Sequence, residues 1–373
     1  MLYSSYVPKP RFTRYLVERK ILKDNPLTVV DVGARGGLEY HWANYEHAAR
    51  FICFEPNKEE CGKLNAELGP KSNSTFYPVA LYKDKGTHTF YEQVSPAACG
   101  LYYRDSKIVD RFPVGKLVKV TGTSSIQTTD FDSFVEEYKI PDIDFIKTDA
   151  EGADFDIIQG SLRSLKKSVL GMSCEMHFQP WCVGAKGLFS ELDQLVRPLG
   201  FRLYDINMFR FANNAFPSID SVLPGGCGTA DYGQIIFGQA IFFRDPVAEI
   251  EHGKLLELEW DETRILKAVS LFEVFGLPDC AIELLDTAEK HNLLKHFNKG
   301  EIEKFRDLIT SGFLGKTIIY RQHLQKLADI KKRGYASYFE HIKPRLKKIP
   351  FLPQIRSFIK KQIAQRRNNF GAR

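Results

Sequence analysis

Residues 27–37 of the chain are Leu-Thr-Val-Val-Asp-Val-Gly-Ala-Arg-Gly-Gly, and residues 51–55 are Phe-Ile-Cys-Phe-Glu. The first stretch is an apolar strand that ends in an acid and a glycine turn. The second stretch is another apolar strand that ends in an acid. This order predicts a βαβ unit, in which two parallel strands flank a helix and a ligand binds at the carboxyl end of the strands.

The glycine spacing limits which nucleotide such a site could take. A dinucleotide site uses G-x-G-x-x-G, whose second glycine lets a pyrophosphate touch the backbone, and Arg35 occupies that position here. NAD is therefore disfavoured, whereas S-adenosylmethionine has no pyrophosphate and its zwitterionic methionine end suits Asp31 at the strand tip. Glu55 is spaced to accept hydrogen bonds from a ribose. A glycine turn at a helix start without any nucleotide is the alternative.

A second cluster follows the predicted strand 143–147. Asp149, Glu151 and Asp154 place three carboxylates within six residues, just past a buried strand. Because like charges at such spacing repel one another, a functional role explains them better than packing does. The alternative is that Asp149 and Glu151 are first-turn acids of a helix over 154–166, where the helix dipole favours them.

Five motifs together resemble the FkbM family of S-adenosylmethionine-dependent methyltransferases. They are Val30–Ala34, Phe54–Asn57, Pro78–Leu81, Thr129–Asp132 and, most specifically, Asp144–Asp154 with its Lys-x-Asp-x-Glu-Gly order. The resemblance covers residues 27–245 of the 373. It implies a class I methyltransferase fold and O-methylation of a sugar or natural-product hydroxyl. It also implies cofactor contacts at Asp31, Gly33, Ala34, Gly37, Glu55, Pro56, Ala80 and Asp149.

The pattern along the chain predicts an α/β protein with a doubly wound, Rossmann-like sheet and helices on both faces. Strands are expected at 27–32, 51–55, 74–80, 143–148 and 169–176, with a hairpin-like ending at 201–206 and 235–243. The predicted organisation is an N-terminal helical extension over 1–26, the methyltransferase domain over 27–245, a separate helical appendage over 246–342 and a basic amphipathic tail over 343–373.

The extension is expected to form a helix over 10–23, and the appendage three to five helices, from the three- and four-residue spacing of its apolar residues. The segment 82–128 is longer than a simple connection, so we expect a functional or mobile loop on the acceptor side, or else surface packing. It contains the aromatic and basic residues Tyr91, Tyr102, Tyr103, Arg104, Lys107 and Arg111.

O-methylation requires help with the proton of an acceptor hydroxyl, from a general base or a metal ion. Strand 169–176 should lie beside strand 143–148, which would bring Glu175 and His177 to the same cleft as Asp149 and Glu151. These four are the catalytic candidates, with His177 the best general base by its ordinary pKa. Asp149, Glu175 and His177 could instead ligate Mg²⁺ or Mn²⁺. A hydrogen-bonded structural role for His177 is the alternative.

Composition limits the class of protein. The chain is 43% hydrophobic and 26% charged, as in ordinary soluble proteins, and its seven cysteines form no C-x-x-C pair. A zinc site is therefore disfavoured, and free thiols suit a reducing cytoplasm. The sequence shows neither a signal-peptide pattern nor a run of 18 apolar residues. The expected location is cytoplasmic, with peripheral contact to the inner membrane face as an option.

The end of the chain has a different charge from the rest. Residues 331–373 contain 13 Lys or Arg and one acid, Glu340, a net of +12, whereas the whole chain is +6 and residues 1–330 therefore sum to −6. Basic residues mixed with apolar ones can lie on an anionic membrane or contact a protein partner. A solvated tail without a specific role is the alternative, and nucleic acid is disfavoured.

These observations lead to one interpretation, an O-methyltransferase for a glycan or a lipid-linked sugar. A natural-product O-methyltransferase and an inactive Rossmann-like binding module in a glycan-assembly complex are the alternatives. Retention of acids at 31, 55, 149 and 151 argues against the inactive module. A nucleic-acid base methyltransferase would carry an Asn- or Asp-Pro-Pro-aromatic run where this chain has Asp149-Ala150-Glu151-Gly152.

Overall fold

The computed structural model describes residues 6–7, 9–223, 225–253, 258–315 and 319–333. The strands of these ranges are β1 Leu27–Val32, β2 Ala49–Phe54, β3 Ser74–Tyr77, β4 Ala80–Tyr82, β5 Gly86–Gln93, β6 Val120–Asp130, β7 Phe145–Thr148, β8 Gly171–His177, β9 Phe201–Phe211 and β10 Gln234–Arg244. The α-helices are α1 Arg11–Glu18, α2 Lys58–Glu67, α3 Gly69–Ser72, α4 Ser106–Val109, α5 Phe131–Glu137, α6 Asp154–Gln159, α7 Leu162–Lys167, α8 Phe189–Val196, α9 Pro246–His252, α10 Glu262–Val274, α11 Pro278–Lys290, α12 Lys299–Leu314 and α13 Tyr320–Arg333.

Seven strands form one sheet in the order β3-β2-β1-β7-β8-β10-β9. Neighbouring strands among β3, β2, β1, β7 and β8 pair in parallel, and β10 runs antiparallel to both β8 and β9. The chain thus builds outward from β1 to β3, returns to β7 beside β1, and builds outward in the other direction. This is a doubly wound, Rossmann-like sheet, so the predicted fold class is confirmed.

Alternate residues of the central strands enter two different hydrophobic clusters. In β1, Val29 packs in a cluster with helices α1, α2 and α10 to α12, whereas Val30 packs in a cluster with α5 to α8. Successive side chains of a strand point to opposite faces, so the two clusters lie on opposite faces of the sheet. Helices therefore cover both faces, as a buried parallel sheet requires.

The connection between β1 and β2 differs from the predicted βαβ unit. It contains the 3₁₀ helices Tyr40–Asn44 and Glu46–Ala48 instead of an α-helix. The Trp42 ring lies 6.1 Å from that of Phe275, next to α10, and Ser270 Oγ of α10 donates a hydrogen bond to Tyr45 Oη at 2.9 Å. Burial of these two aromatic side chains against α10 outweighs the local preference for a regular helix.

The helical region after residue 245 shares the core of the sheet. The Phe275 ring lies 5.0 Å from that of Phe145 in β7 and 5.5 Å from that of Phe243 in β10. One compact unit accordingly runs from Met1 to Phe313, which corrects the separate appendage predicted over 246–342. The strand pattern of the sequence ends at 245, but the helices that follow still pack against the sheet.

The second unit begins at Leu314. In its described residues it contains helix α13, whose apolar Leu324 and Leu327 are 45% and 49% exposed. The basic tail predicted over 343–373 lies outside the described residues.

The predicted N-terminal extension contributes a helix to the same core as α10. The helix expected over 10–23 spans Arg11–Glu18. The carboxylate of Glu273 in α10 accepts hydrogen bonds from the backbone N–H groups of Phe12 at 2.9 Å and Thr13 at 2.7 Å. The first turn of a helix leaves such N–H groups without partners inside the helix, so this carboxylate both binds and caps α1.

The segment 82–128, predicted as a long loop, forms most of a second sheet, and we call it the insert. The sheet has the order β4-β6-β5, with β4 parallel and β5 antiparallel to β6. Its strands are rich in polar residues and lack an apolar run, so the strand pattern is weak in the sequence. A third hydrophobic cluster joins Phe112 and Val114 of the insert to Trp181 and to Phe211 of β9.

The tips of β1 and β7 approach each other closely. Gly33 follows β1 with a φ of +79°, and a Cβ atom built on it would lie 1.9 Å from the carbonyl oxygen of Asp149. No other residue type fits this contact, because the neighbouring atom belongs to backbone and φ lies in the left-handed region. The first glycine of the turn therefore fixes how the two acid-bearing loops meet.

In the described part of the chain, no helix is long and apolar enough to cross a membrane. All seven cysteines are free thiols, and Cys53, Cys61, Cys174 and Cys182 are buried. Buried thiols of this kind act as small hydrophobic side chains.

Phe275→Ala should lower the free energy of unfolding by about 3–5 kcal/mol, because it removes a buried aromatic ring and leaves a cavity. Urea unfolding followed by circular dichroism measures the change. Phe313→Ala is the matched control, since Phe313 is 52% exposed, and it should cost less than about 0.5 kcal/mol. Small effects in both variants would contradict a core shared by the sheet and the C-terminal helices.

Gly33→Ala should lower the free energy of unfolding by about 3 kcal/mol or more, because its methyl group would collide with a backbone carbonyl. Gly36→Ala provides the comparison: its φ is +81°, but no atom lies within 4 Å of the added Cβ. That substitution should cost only the left-handed strain, about 1–2 kcal/mol. Equal losses in the two variants would show that strain alone, and not the contact with Asp149, determines the effect.

Candidate functional site

A pocket of about 420 Å³ opens at the carboxyl ends of β1, β2 and β7. This edge is the topological switch point, since the chain leaves β1 in one direction and β7 in the other. The first sheet contributes the loops after its strands, and the insert covers the opposite side with residues of β5 and β6. The pocket is therefore built between the predicted domain core and the predicted acceptor segment.

The structure brings six of the predicted functional residues together around this pocket. They are Gly33, Glu55, Pro56, Ala80, Asp149 and Glu151. The other predicted residues are Asp31, Ala34, Gly37, Glu175 and His177, and they lie outside the pocket lining. The predicted residues thus separate into six that line this pocket and five that lie outside its lining, which we call the supporting layer.

Asp31 belongs to the supporting layer. It lies opposite Lys147 in the parallel register of β1 and β7, and Lys147 Nζ is 3.0 Å from Asp31 Oδ1 and 3.9 Å from Asp149 Oδ2. Burial alone lowers the pKa of Lys147, but the carboxylates of Asp31, Asp149 and Glu39 raise it above its ordinary value. Lys147 is therefore a fixed positive charge beneath the pocket, a role that the Lys-x-Asp-x-Glu-Gly motif did not reveal by itself.

Glu39 lies outside the pocket lining but interacts electrostatically with Lys147, and no sequence motif indicated it. It follows the glycine turn, and burial raises its pKa to about 7, with Lys147 opposing and Asp31 and Asp149 adding to the shift. Glu39 and the acidic loop are far apart in the sequence, so no local pattern predicts this electrostatic interaction. Two buried or half-buried carboxylates thus flank one lysine at the strand tips.

The acidic loop after β7 uses its three carboxylates differently. Asp154 turns inward and accepts a hydrogen bond from the backbone N–H of Ala150 at 3.2 Å, so it stabilises the loop. Helix α6 begins at Asp154, which means that Asp149 and Glu151 are not its first-turn acids. Glu151 has a φ of +55°, an unfavourable conformation for a residue with a side chain, and such strain is concentrated at functional sites.

Arg104 of the insert holds Glu151. The Arg104 guanidinium is 3% exposed and forms an ion pair with Glu151, while it also donates to Cys182 Sγ. Burial raises the pKa of Glu151 to about 7; Arg104 opposes this shift, and Asp149 and Asp154 add to it. The sequence placed Arg104 in the acceptor segment but gave it no role, because its partner is 47 residues away.

Glu175 and His177 lie at the end of β8, behind Arg104. His177 Nε2 is 4.0 Å from Glu175 Oε2, and His177 Nδ1 is 3.9 Å from Cys182 Sγ. Burial, with Arg104 adding to it, lowers the pKa of His177 to about 3, so the imidazole is neutral. Burial and the neighbouring acids raise the pKa of Glu175 well above its ordinary value. The His177 imidazole is therefore neutral around neutral pH, whereas the Glu175 carboxyl keeps its proton to a higher pH than an ordinary carboxyl does.

The donor set predicted for Mg²⁺ or Mn²⁺ does not fit a metal ion. Among the residues that the structure describes, no group of three or more His, Cys, Asp or Glu side chains could hold one. Asp149 lines the pocket, whereas Glu175 and His177 lie outside its lining, so the three side chains do not converge on one position.

Glu55 lines a different part of the pocket. It is 5% exposed, and its Oε1 accepts a hydrogen bond from the backbone N–H of Asn57 at 2.8 Å. Burial raises the pKa of Glu55, and the nearby Arg35 lowers it. The Asn57 side chain in turn caps helix α2 by accepting from Glu60 N–H at 2.9 Å. The carboxylate is thus oriented by the helix start, with its other oxygen available to a ligand.

The insert supplies the polar wall of the pocket. Phe90 and Glu92 of β5 lie opposite Ser124 and Gly122 of β6, so their side chains share one face. Phe90, Glu92, Ser124 and Ser125 all line the pocket. An aromatic ring, a carboxylate and hydroxyl groups can together contact a polar ligand that also has apolar faces.

Comparison with known proteins gives similar solved structures and a curated relative. The methyltransferase FkbM of Methylobacillus flagellatus is 12% identical, with a TM-score of 0.28 over 58% of this chain and 43% of that chain. The magnesium protoporphyrin IX methyltransferase ChlM of Synechocystis, solved with bound SAM, is 10% identical, with a TM-score of 0.28 over 62% of this chain and 77% of that chain.

The curated relative is the 2-O-methyltransferase NoeI of Sinorhizobium fredii. It is 24% identical over 152 residues, and the match covers 39% of this chain and 61% of NoeI. The matched stretch thus spans less than two thirds of the relative's length. The Methyltransferase FkbM domain family matches residues 31–203, a range that contains the pocket and both acidic loops. The chain is thus similar to the methyltransferase FkbM domain family over residues 31–203, which confirms the resemblance that the sequence motifs indicate.

Proposed function

We propose that this chain is an S-adenosylmethionine-dependent O-methyltransferase that acts on a hydroxyl group of a glycan or a lipid-linked sugar. The proposal is carried by the composition of one pocket inside the methyltransferase FkbM domain. Glu55 lines the pocket after β2, whereas Asp149 and Glu151 line it after β7. One carboxylate is thus available to a ribose, and two are available to an acceptor hydroxyl.

The residues at the pocket fit S-adenosylmethionine. Gly33 brings backbone without a side chain to the pocket wall, and the volume of about 420 Å³ suits a ligand of this size. Arg35 stands where a dinucleotide would need a glycine. When bound, this cofactor supplies a methyl group on a positively charged sulfonium. We assign Glu55 to the ribose hydroxyls, with Pro56 and Ala80 beside the adenosine.

Glu151 is the group that we assign to the proton of the acceptor hydroxyl. A base is most effective when its pKa is close to the working pH, and burial brings the pKa of Glu151 to about 7. Asp149 is the second carboxylate on the same wall, and it lies 3.9 Å from the fixed charge of Lys147. Together they place negative charge beside the hydroxyl as it loses its proton.

Glu175 and His177 support this arrangement as positioning residues. Arg104 lies between them and the pocket: it pairs with Glu151 and interacts electrostatically with Glu175. The imidazole of His177 is neutral, so it adds no charge that would compete with Glu151 for Arg104. In this proposal Glu175 and His177, predicted as catalytic candidates, therefore act through Arg104.

The acceptor class follows from the chemistry of the insert wall. Hydroxyl groups of Ser124 and Ser125 and the carboxylate of Glu92 can hydrogen-bond a polyhydroxylated ligand, and Phe90 can pack against a sugar ring face. The relative NoeI is named a 2-O-methyltransferase, which supports oxygen as the methyl acceptor.

Mass spectrometry of glycans from cells with and without this protein tests the proposal. The glycans should differ by one methyl group at each modified sugar. Methylation found on a small natural product, with unchanged glycans, would replace the proposed acceptor class. Neither methylated product nor cofactor binding would support an inactive binding module instead.

Glu55→Ala should weaken S-adenosylmethionine binding by about 1.5–3 kcal/mol, the usual contribution of hydrogen bonds to a charged group. Isothermal titration of the purified chain measures the dissociation constant without requiring an acceptor. NAD should not bind, because Arg35 crowds a pyrophosphate site.

The control is Glu59→Ala, which removes an exposed carboxylate from the first turn of α2. Its affinity for the cofactor should match that of the unmodified chain. Undiminished affinity in Glu55→Ala would remove Glu55 from the ribose role, and NAD binding would overturn the choice of cofactor.

Turnover should rise with pH and level off above about 7, because Glu151 must be deprotonated to act as a base and its pKa is about 7. Glu151→Gln should lower kcat by about 100-fold or more and abolish this dependence. A pH profile of kcat with an identified acceptor measures both effects.

His177→Gln distinguishes the supporting layer from the base. The pKa of His177 is lowered to about 3, so its titration falls below the measured range, and the rise near pH 7 should persist in this variant. A rise that survives in Glu151→Gln but disappears in His177→Gln would reverse the two assignments.

A further inference from the structure

The loop between β9 and β10, residues 212–233, carries a surface that the pocket chemistry does not use. β10 begins opposite Phe211 and runs antiparallel to β8, so the loop leaves the sheet at the edge where β8 ends and the pocket opens. The insert anchors it: Asn214 N–H donates to the carbonyl of Arg111 at 2.9 Å, and Gly228 lies against Pro113. The loop is therefore attached to the wall of the pocket.

Four apolar side chains of this loop point into solvent, and we call them the apolar tip. They are Phe216, Ile219, Val222 and Leu223, with exposed fractions of 71%, 83%, 77% and 55%. Single exposed apolar residues are ordinary on protein surfaces, but four within eight positions form a patch that indicates a binding surface. Nothing in the proposed methyl transfer requires them.

The loop has a defined conformation that presents the tip. Asp220 Oδ2 accepts hydrogen bonds from the backbone N–H groups of Gly228 at 2.7 Å and Thr229 at 2.9 Å. Tyr232 Oη donates to the carbonyl of Pro217 at 3.2 Å, and the Tyr232 ring lies 5.5 Å from that of Phe216. The apolar side chains are therefore held outward by polar bonds within the loop.

The backbone of the tip forms its own hydrogen bonds. Val222 N–H donates to the carbonyl of Ile219 at 3.2 Å, Leu223 N–H to that of Asp220 at 3.1 Å and Gly226 N–H to that of Leu223 at 3.0 Å. Backbone groups that enter a lipid phase must be satisfied internally, and these donors are. A loop bonded in this way also offers no strand edge for a peptide to extend, which favours lipid over a peptide partner.

Two exposed arginines and two exposed acids, Asp110 and Asp231, lie on or beside the loop, so the excess of positive charge comes from positions 343–373 of the sequence. Arg111 and Arg210 are exposed and lie beside the two ends of the loop, where Ala230 N–H donates to the carbonyl of Arg210 at 3.0 Å. Of the loop acids, Asp220 is engaged by backbone donors, and Asp231 is the other. The sequence adds ten basic residues and no acid in positions 343–373. Such residues attract a protein to anionic headgroups.

We propose that Phe216, Ile219, Val222 and Leu223 insert into the surface of an anionic membrane and hold the pocket edge toward it. This deepens the proposed function, on which its biological meaning rests, by choosing a lipid-linked sugar over a soluble glycan as the acceptor. The basic residues supply long-range attraction, whereas the tip supplies the apolar contact that keeps the chain at the surface.

Sedimentation with vesicles of equimolar phosphatidylcholine and phosphatidylserine tests the insertion on the full chain. The variant carries Phe216→Ser, Ile219→Ser, Val222→Ser and Leu223→Ser together. Its partition onto vesicles should fall by more than about tenfold, since one apolar side chain of this size contributes about that factor when buried. Phe313→Ser, equally apolar and 52% exposed, is the matched control and should bind like the unmodified chain.

Salt separates the tip from the basic residues. High salt screens the attraction of the lysines and arginines, but it does not weaken burial of apolar side chains. The difference between the unmodified chain and the tip variant should therefore persist at high salt. Equal sedimentation of the two proteins, or none by either, would overturn the proposal.

Two further measurements complete the test. Thermal unfolding of the tip variant should match that of the unmodified chain, because the substituted side chains are exposed. Sedimentation velocity should find both proteins in the same oligomeric state, and a dimer lost in the tip variant would reassign the surface to self-association.

The outcomes are separable from those of the proposed function. Vesicle binding through the tip without methyl transfer would sustain the membrane surface and remove the O-methyltransferase. Methyl transfer to a soluble acceptor, with no tip-dependent vesicle binding, would sustain the O-methyltransferase and overturn the membrane surface.

Discussion

The contact between the tips of β1 and β7 is the constraint on which the site depends. The Asp149 carbonyl occupies the space that a side chain at Gly33 would need, and two residues earlier in each segment Asp31 and Lys147 form a buried ion pair. Breaking a buried pair by removing one partner leaves an uncompensated charge, which is strongly unfavourable. Backbone contact and charge together therefore fix the acidic loop over the pocket, and the orientation of Glu151 follows from them.

The same sheet relies on a helix from far along the chain. α10 buries Trp42 and Tyr45 of the β1–β2 connection and caps α1 through Glu273. A conventional βαβ unit would cover this face with its own helix, but here the connection is short and aromatic. The C-terminal helices consequently belong to the fold of the methyltransferase unit, and they support the strand tips from beneath.

The insert gives the pocket its second wall and its electrostatics. Arg104 reaches from the insert to Glu151, and Tyr102 Oη donates to Asp156 of α6 at 2.6 Å. The loop after β9 is fastened to the same insert through Arg111 and Pro113. The polar wall of the pocket, the Arg104–Glu151 ion pair and the loop that carries the apolar tip are thus joined through the insert.

The sequence by itself determined the parallel sheet and the acids at its carboxyl edge. This information is local. Each apolar strand run is followed directly in the chain by the glycine turn or the acid that marks its end, as at Gly33, Glu55 and Asp149. The family motifs extended it to methyl transfer.

Tertiary structure decided what depends on distant partners. It replaced the expected helix after Gly33 with 3₁₀ turns, joined the C-terminal helices to the core and folded the insert into a polar sheet that has no apolar period. It also separated the predicted site residues: Glu151 lines the pocket beside Arg104, whereas Glu175 and His177 are buried outside the lining. The physical reason is that burial and charge pairing arise between segments, and no local pattern records them.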